Sequence, residues 1–466
     1  MSRDFKIPRD VAERLIEIFK LDIEQKNQII QEFNKFPLQT SIRKFIKKVS
    51  ERTELSETLL QNFFWRSFDI YALFLENSEP LTEFFNNVIK STIENEYPDL
   101  KKEINNFTDL EKLISRMVNL IDFEYFKLYS LEGINQINIG FSNIVSLYLF
   151  TVKDNIVLID AGYSMKYWKN AFYKALNELQ INLGDVDYCI VTHEHPDHTG
   201  LISELKRANP DVKICMHKIA HELAKLREAL SKDTNLDENI KKRADLLTSY
   251  GLPKEEVDLM FQRFGRRMMG FHNIKPDILL NNDDRIVDSE LQIVHSPGHS
   301  VGHICIYYQK KGILFSGDHI LSNITPHLGT LAIPGASEFN KANNFENILE
   351  HYLRSLDRID ELNSKIILPG HEQIIYEPHE RITAIKNHHQ NRLYEISKII
   401  ENNPLPPLQI ALHHFGNDLD QMNKLLAISE TLVHLDYLEF QNKVRKTKEN
   451  GILLYFSEER WKKIVY

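Results

Sequence analysis

Residues 191–200 read VTHEHPDHTG, and three histidines and an aspartate, His193, His195, Asp197 and His198, fall within six positions directly after an apolar run. A polar loop has no structural reason to concentrate imidazoles this way. A metal site has one, because neutral imidazole and carboxylate are good ligands for divalent metals. In an extended segment, side chains two apart leave the same face, so His193 and His195 can reach one ion. Past Pro196 the chain turns, which directs Asp197 and His198 toward a second. The pattern is not the HExxH of helical zinc proteases, whose histidines must stand four apart on a helix face.

Four such ligands leave two ions under-coordinated, so further donors are expected at the ends of later strands. LQIVHSPGHS supplies His295 and His299, GILFSGDHI supplies Asp318 and KIILPGHE supplies His371, each where an apolar run gives way to a Gly-containing turn. Asp318 suits bridging, since one carboxylate can hold two cations about 3.5–4 Å apart. His299 and His371 read as ligands, whereas His295, still inside its strand, reads as a hydrogen-bonded polar residue. His303 and His319 either orient ligands or are simply buried and hydrogen-bonded. Asp160, which closes LIDAG, is expected to support the histidine loop from behind. His388 and Arg392, four apart on a helix, read as exposed helix surface. No substrate-binding residues can be named from the sequence.

The elements that must position these side chains begin near residue 126. IVSLYLFTV, NIVLIDAG, DYCIVTH, DVKICMH, LQIVHSPG, HICIYY, GILFSGD and KIILPGH have the texture of short buried strands. Helical patterns separate some of them, at Lys166 to Leu179, Thr199 to Arg207 and Phe345 to Leu362. The expectation is an α/β fold with helices packed outside sheets. Residues 1–125 have the stripe of a helical domain, with Val11, Leu15, Ile18 and Phe19 on one face. An insertion at about 217–275 reads as two or three helices, the last opened by Pro253. Within it Arg263, Arg266 and Arg267 stand beside Met268 and Met269, read as a solvated face over a buried methionine pair. Residues 386–466 return to helices and end in two strand-like arms around Asn450 and Gly451, a hairpin signal. Helices followed by a hairpin suggest a winged-helix-like C-terminal domain, with residues 126–385 as the catalytic one.

Composition sets the bounds. A chain of 466 residues exceeds what one core usually organises, and 42% hydrophobic with 26% charged residues is a globular balance. The net charge of −9 argues against, without excluding, nucleic acid as partner. Neither an export signal nor an unbroken membrane-spanning run is evident, so a cytoplasmic protein with no membrane association is expected. Cys189, Cys215 and Cys305 sit in strand-like runs and read as small buried hydrophobes. Oligomeric state is not encoded legibly.

LIDAG, THEHPDH, SPGH, SGDH and LPGH, in that order, resemble the metallo-β-lactamase superfamily, nearer its glyoxalase II-like branch than its antibiotic-destroying one, over roughly residues 126–385. The resemblance implies an αββα sandwich with two metal ions at one edge of the sheets. It implies that His193, His195 and His299 hold one ion, that Asp197, His198 and His371 hold the other, and that Asp318 lies between. The winged-helix-like tail is similar to one found in lactamase-like members of the family. The N-terminal 125 residues and the insertion have no counterpart in it.

Two close cations lower the pKa of a water toward about 7, so hydroxide is available without a serine or cysteine nucleophile. Asp197, besides being a ligand, is expected to hold the hydroxide proton as the catalytic residue. A thioester suits this machinery, because its thiolate has a pKa near about 8.5 and leaves without a general acid. The expected substrate is therefore a small acyl-CoA or acyl-glutathione thioester, or a related ester or lactone. Zinc is the expected metal, with iron and manganese compatible with the same donors. A phosphodiesterase or endoribonuclease is the alternative enzyme, supported by Lys443, Arg445, Lys446 and Lys448. Against it stand the acidity and the short intervals around Asp318, which leave no room for the extra domains of the RNA-processing branches. A flavodiiron protein would be expected to carry glutamate at His195. A sensor that binds metal and ligand without turnover is the non-enzymatic alternative.

Overall fold

A computed structural model of the chain describes residues 50–51, 89–96, 126–140, 145–232, 236–258, 274–328 and 336–457. The chain divides into two compact units. One comprises Met1–Tyr129, Ile137–Ile144 and Met165–Ile181, the other Ser130–Gln136, Val145–Ser164 and Asn182–Tyr466. Of the expected N-terminal helical domain, most lies outside the described residues; Ser91–Glu96 forms helix α1. The Arg263, Arg266, Arg267, Met268 and Met269 group also lies outside them. The first unit further contains helix α2, Lys166–Glu178. Every donor residue proposed above lies in the second unit.

Among the described residues, one sheet runs in chain order through β1 (Phe126–Leu131), β2 (Ile134–Ile139), β3 (Val145–Val152), β4 (Asn155–Ile159), β5 (Tyr188–Val191), β6 (Lys213–His217) and β7 (Ile278–Leu280). β4 to β7 are parallel, and parallel neighbours need crossovers. Helices α3 (Pro196–Thr199) and α4 (Ile202–Ala208) lie between β5 and β6, and α5 (Lys218–Lys232) and α6 (Leu236–Ser249) between β6 and β7. The last two belong to the insertion read from the sequence.

The second sheet contains β8 (Arg285–Ile286), β9 (Leu291–His295), β10 (Ile304–Tyr308), β11 (Ile313–Gly317) and β12 (Ile366–Pro369) in the order β12-β11-β10-β9-β8. Helices α7 (Ala336–Ala342) and α8 (Ile348–Asp360) lie between β11 and β12. Side-chain alternation along β10 shows why every residue there is apolar. Ile304, Ile306 and Tyr308 join a core with Tyr148, Phe150, Ile159 and Ile190 of the first sheet. Cys305 and Tyr307 point the other way, into a core with Leu349, Tyr352 and Leu356 of α8. Phe150 stacks on Phe315 with ring centroids 5.1 Å apart, so the two sheets interdigitate through aromatic rings. All three cysteines are buried and free.

Strand direction gathers the donors. β4 and β5 are parallel, so Asp160 and the 192–198 loop leave the same edge of the first sheet. In the second sheet β10 is antiparallel to both β9 and β11, and β12 is parallel to β11. The C-terminal ends of β9, β11 and β12, which precede His299, Asp318 and His371, therefore share an edge too. Backbone bonds join the two edges: Ile304 N donates to Thr192 O at 2.9 Å and Ser146 N to Gly370 O at 2.8 Å.

Helices α9 (Pro378–Ile399), α10 (Pro407–Phe415) and α11 (Gln421–Phe440) follow. α9 runs unbroken through residue 385, where the sequence reading set a domain border. The chain then enters the hairpin of β13 (Val444–Glu449) and β14 (Ile452–Ser457). Asn450 and Gly451 have φ of 49° and 85°. Two consecutive positive φ values define the tight turn that Asn-Gly favours. No helix among the described residues is long and apolar enough to cross a membrane.

Candidate metal centre

β5 ends at Val191, and Thr192 turns the chain into the histidine loop. His195 caps α3, whose first residue is Pro196, so Asp197 and His198 sit in one tight helical turn. Behind the loop stands Asp160, a non-glycine residue with φ 62°. Its Oδ1 accepts from Thr192 N at 2.7 Å and its Oδ2 from Thr192 Oγ1 at 3.0 Å. Oδ2 also lies 2.8 Å from His198 Nδ1. A left-handed aspartate that bonds both to a loop and to the imidazole it carries is a strained residue kept in place by its partners.

These bonds fix which nitrogens are bare. The Thr192 hydroxyl hydrogen goes to Asp160, so His193 Nδ1, 3.0 Å from Thr192 Oγ1, must donate to it. His299 Nδ1 donates to His327 O at 2.8 Å. The Nε2 atoms of His193, His198 and His299 are thereby left as lone pairs turned away from their supports. His193 Nε2 lies 2.8 Å, and His299 Nε2 2.9 Å, from His195 Nδ1. That nitrogen carries at most one proton, so it cannot satisfy both.

Three donor groups each have atoms within 4.8 Å of one another: His193, His195 and His299; His193, His198 and Asp318; Asp197, His198 and His371. Asp318 Oδ2 lies 3.5 Å from His299 Nε2 and 3.3 Å from His371 Nε2, and its Oδ1 3.4 Å from His198 Nε2. Asp197 Oδ2 is 3.4 Å from His371 Nε2. His198 Nε2 and Asp318 Oδ1 are buried with no hydrogen-bond partner among the described residues. Two orphaned polar atoms that face each other at the middle of a donor cluster fit a bound cation.

Electrostatics agree. Burial alone pushes the His198 imidazole down, but Asp160, Asp318 and Asp197 outweigh it and hold its pKa well above the ordinary value. At His371 burial is likewise outweighed, chiefly by Asp318 and Asp197, which push its pKa up to about 10. Burial raises Asp197 and Asp318, yet His198 and His371 hold both below the usual carboxylate range. On the other side, burial drives His193 and His195 well down, helped at His195 by Arg227 and His299. One half of the centre attracts positive charge and the other is a set of neutral nitrogen donors.

The remaining sequence readings resolve as follows. His295 Nε2 donates to Val301 O at 2.8 Å, and its ring stacks on His217 with centroids 4.1 Å apart. His303 Nδ1 pairs with Ser296 Oγ at 2.9 Å and its Nε2 accepts from Asp318 N at 3.1 Å, so it grips the backbone that presents Asp318. His319 is fully buried, with neither ring nitrogen hydrogen-bonded among the described residues and its ring edge-on to Tyr352. Arg392 is not on an exposed helix face: it pairs with Glu430 at 2.6 Å and lies over the Phe415 ring, because α10 and α11 cover that side of α9. Sequence reasoning missed Thr192, which stands directly before His193. It also missed Gly370, where a Cβ would lie 2.7 Å from Asp318 Oδ1, although glycine before a histidine at a strand end was a signal of close approach.

A second buried group, His389, Glu430 and His434, also has donor atoms within 4.8 Å. Its atoms are largely engaged, His389 Nε2 being the exception among the described residues. His434 Nδ1 donates to Glu430 O at 2.7 Å, His389 Nδ1 and His434 Nε2 are 3.0 Å apart, and Glu430 Oε1 holds Arg392. A cation there would displace a guanidinium, so we read this group as a hydrogen-bonded relay.

Comparison with known proteins places this architecture. Residues 142–371 match the family model described as Metallo-beta-lactamase superfamily. The chain is 24% identical over 305 residues to the probable metallo-hydrolase YqjP of Bacillus subtilis, covering 65% of this chain and 90% of that one. It is 21% identical to the atrochrysone carboxyl ACP thioesterase of Aspergillus fumigatus, over 53% of this chain and 56% of that protein. Among solved structures, a metallo-beta-lactamase family protein from Thermus thermophilus aligns with a TM-score of 0.56 at 26% identity, covering 70% of this chain and 99% of the other. The chain is accordingly an enzyme of the metallo-hydrolase class.

Proposed function

We propose that the chain is a dinuclear hydrolase that cleaves an activated carbonyl compound, foremost a thioester of the acyl-CoA or acyl-glutathione type. The observation that carries this reading is the pair of orphaned atoms, His198 Nε2 and Asp318 Oδ1, inside a ring of lone pairs. His193, His195 and His299 would hold one ion, Asp197, His198 and His371 the other, and Asp318 would serve both. Zinc suits this mixture of imidazole and carboxylate best. Two such ions, when bound, would supply a hydroxide at neutral pH and positive charge for the oxyanion that develops on the substrate.

The chain's own residues do the rest. Asp197, drawn low in pKa by His198 and His371, stays ionised and is placed to accept a hydrogen bond from the nucleophile. Asp160, Thr192 and His327 O hold the imidazoles in the required tautomers. With His198 and His371 taken up as ligands, no other described side chain of the cluster is left as an acid for a poor leaving group, which favours a thiolate. The thioesterase among the relatives supports the same substrate class.

Phosphodiester cleavage is the second reading, favoured by exposed Arg445 and Lys448 on β13 and by the winged-helix-like order of α9 to α11 followed by the hairpin. The test is a screen of acyl-CoA, acyl-glutathione, lactone and bis-aryl phosphodiester substrates with wild type and Asp318→Ala. Thioester turnover that is lost in the variant and on chelation is expected. Turnover of the phosphodiester alone would overturn the assignment, and turnover of nothing would favour the sensor.

A further inference from the structure

The histidine loop contains an acidic side chain that the donor set does not use. His193 and His195 leave one face of the extended segment, so Glu194 between them leaves the other and cannot join their ion. It is nevertheless only 2% exposed. Its Oε2 accepts from Ser300 Oγ at 2.7 Å, and its Oε1 lies 3.2 Å from Arg227 Nη2. Three segments meet at this carboxylate: the loop after β5 that carries His193 and His195, the loop after β9 in which Ser300 follows His299, and helix α5 of the insertion. Ser300 Oγ is itself held by Gly302 N at 3.2 Å.

A second observation shows that α5 is seated against the His299 loop. A Cβ on Gly302 would stand 2.3 Å from Ala220 N, so only glycine permits the first turn of α5 to approach this closely. The helix then delivers Arg227, itself only 6% exposed, to Glu194. A carboxylate so deeply buried requires a partner of opposite charge.

We propose that Glu194 is a positioning residue that clamps the His193/His195 loop to the His299 loop through Ser300, and that Arg227 is its counter-ion, which gives the insertion a task at the metal centre. The inference rests on the dinuclear reading above. Glu194 touches no donor atom of the cluster at bonding distance; it sets the separation of the two loops whose imidazoles converge on one ion. Loosening the clamp moves His299 Nε2 relative to His193 Nε2 and His195 Nδ1.

The experiment loads chelated, full-length protein with zinc against a competing chelator, and with Co(II) for its visible absorption, in wild type and variants. Glu194→Gln and Arg227→Met are each expected to weaken the nitrogen-rich site about 10–100-fold and to change the Co(II) band, as loss of an outer support does. Arg227→Lys should recover most of the affinity. The double variant should lose no more than the worse single one, because both remove the same clamp. If Glu194→Gln fails to fold, Ser300→Ala removes one hydrogen bond and no charge and is read the same way. Variants that lower the melting temperature of the chelated protein yet bind zinc as wild type does would overturn the clamp. Wild-type protein that takes up no metal would instead sink the dinuclear reading on which it rests.

Discussion

Two clusters of buried histidines and carboxylates lie in the same compact unit, and they are built for opposite ends. At the strand edge, outer hydrogen bonds tie down the far nitrogens of His193, His198 and His299 and leave the near ones bare around Asp318. Between α9 and α11, His389, His434 and Glu430 turn to one another, and Arg392 supplies the positive charge. Residue type and burial do not separate the two. What separates them is whether the lone pairs that point inward have protons to meet, and whether a guanidinium already occupies the place of a cation. The clusters are also linked: Leu328 N donates to Glu430 Oε2 at 3.4 Å, one residue from the carbonyl of His327 that holds His299.

Removing the carboxylate at the middle of the first cluster is the strongest test of that contrast. Asp318→Ala takes a donor from both proposed ions, and several kcal/mol of charge stabilisation go with them. Hydrolysis should fall by about a thousandfold or more, roughly 4 kcal/mol, with a matching loss of bound metal measured by elemental analysis. His434→Ala in the second cluster should leave metal content unchanged. Equal metal loss from both variants would erase the distinction between a binding site and a relay.

Much of the first cluster was legible because its chemistry is unusual and its position regular. Imidazoles crowded at one strand end, and donors that recur where an apolar run meets glycine, have few structural uses, and parallel strand direction then brings those ends together. Strand texture was equally legible, since β10 is buried on both faces and has no polar residue to blur it. Residues that act by hydrogen bonding to a donor left weaker traces. Thr192 looks like any strand-end threonine, Glu194 reads as a charged loop residue, and Arg227 is a lone charge at helical spacing from Ala220, Leu223 and Ala224 on the buried face of α5, where the sequence does not say which carboxylate it meets. The second cluster was misread at Arg392 for a related reason: α9 is covered on a polar face, by helices that come later in the chain.

A smaller effect is expected from the support behind the ligands. Asp160→Asn keeps the size of the side chain but ends the charge-assisted bond to His198 Nδ1, and with it the preference for the tautomer that bares Nε2. Metal affinity should drop about 10–100-fold, read by chelator competition. Unchanged affinity would mean that the strained aspartate serves the loop backbone alone, and the contrast between fixed and free tautomers would lose its basis.

The smallest effect concerns the relay. Burial, then His388 and Arg392, pushes His389 down to about 3, so in the folded protein it stays neutral where the unfolded chain would protonate it. A histidine lowered on folding contributes stability that is fully present above its unfolded pKa of about 6.5 and is lost as pH falls from there toward 3. Each pH unit in that window costs about 1.4 kcal/mol for one such group. Urea unfolding of the metal-free protein at pH 7 and pH 5.5 should therefore show a shallower decline in His389→Gln than in wild type. The metal-free protein is the right object, because bound ions would add their own proton competition and mask a slope that belongs to the relay. If the two slopes were equal, His389 would be taking up a proton in the folded state, and the buried relay would have to accommodate a cation after all.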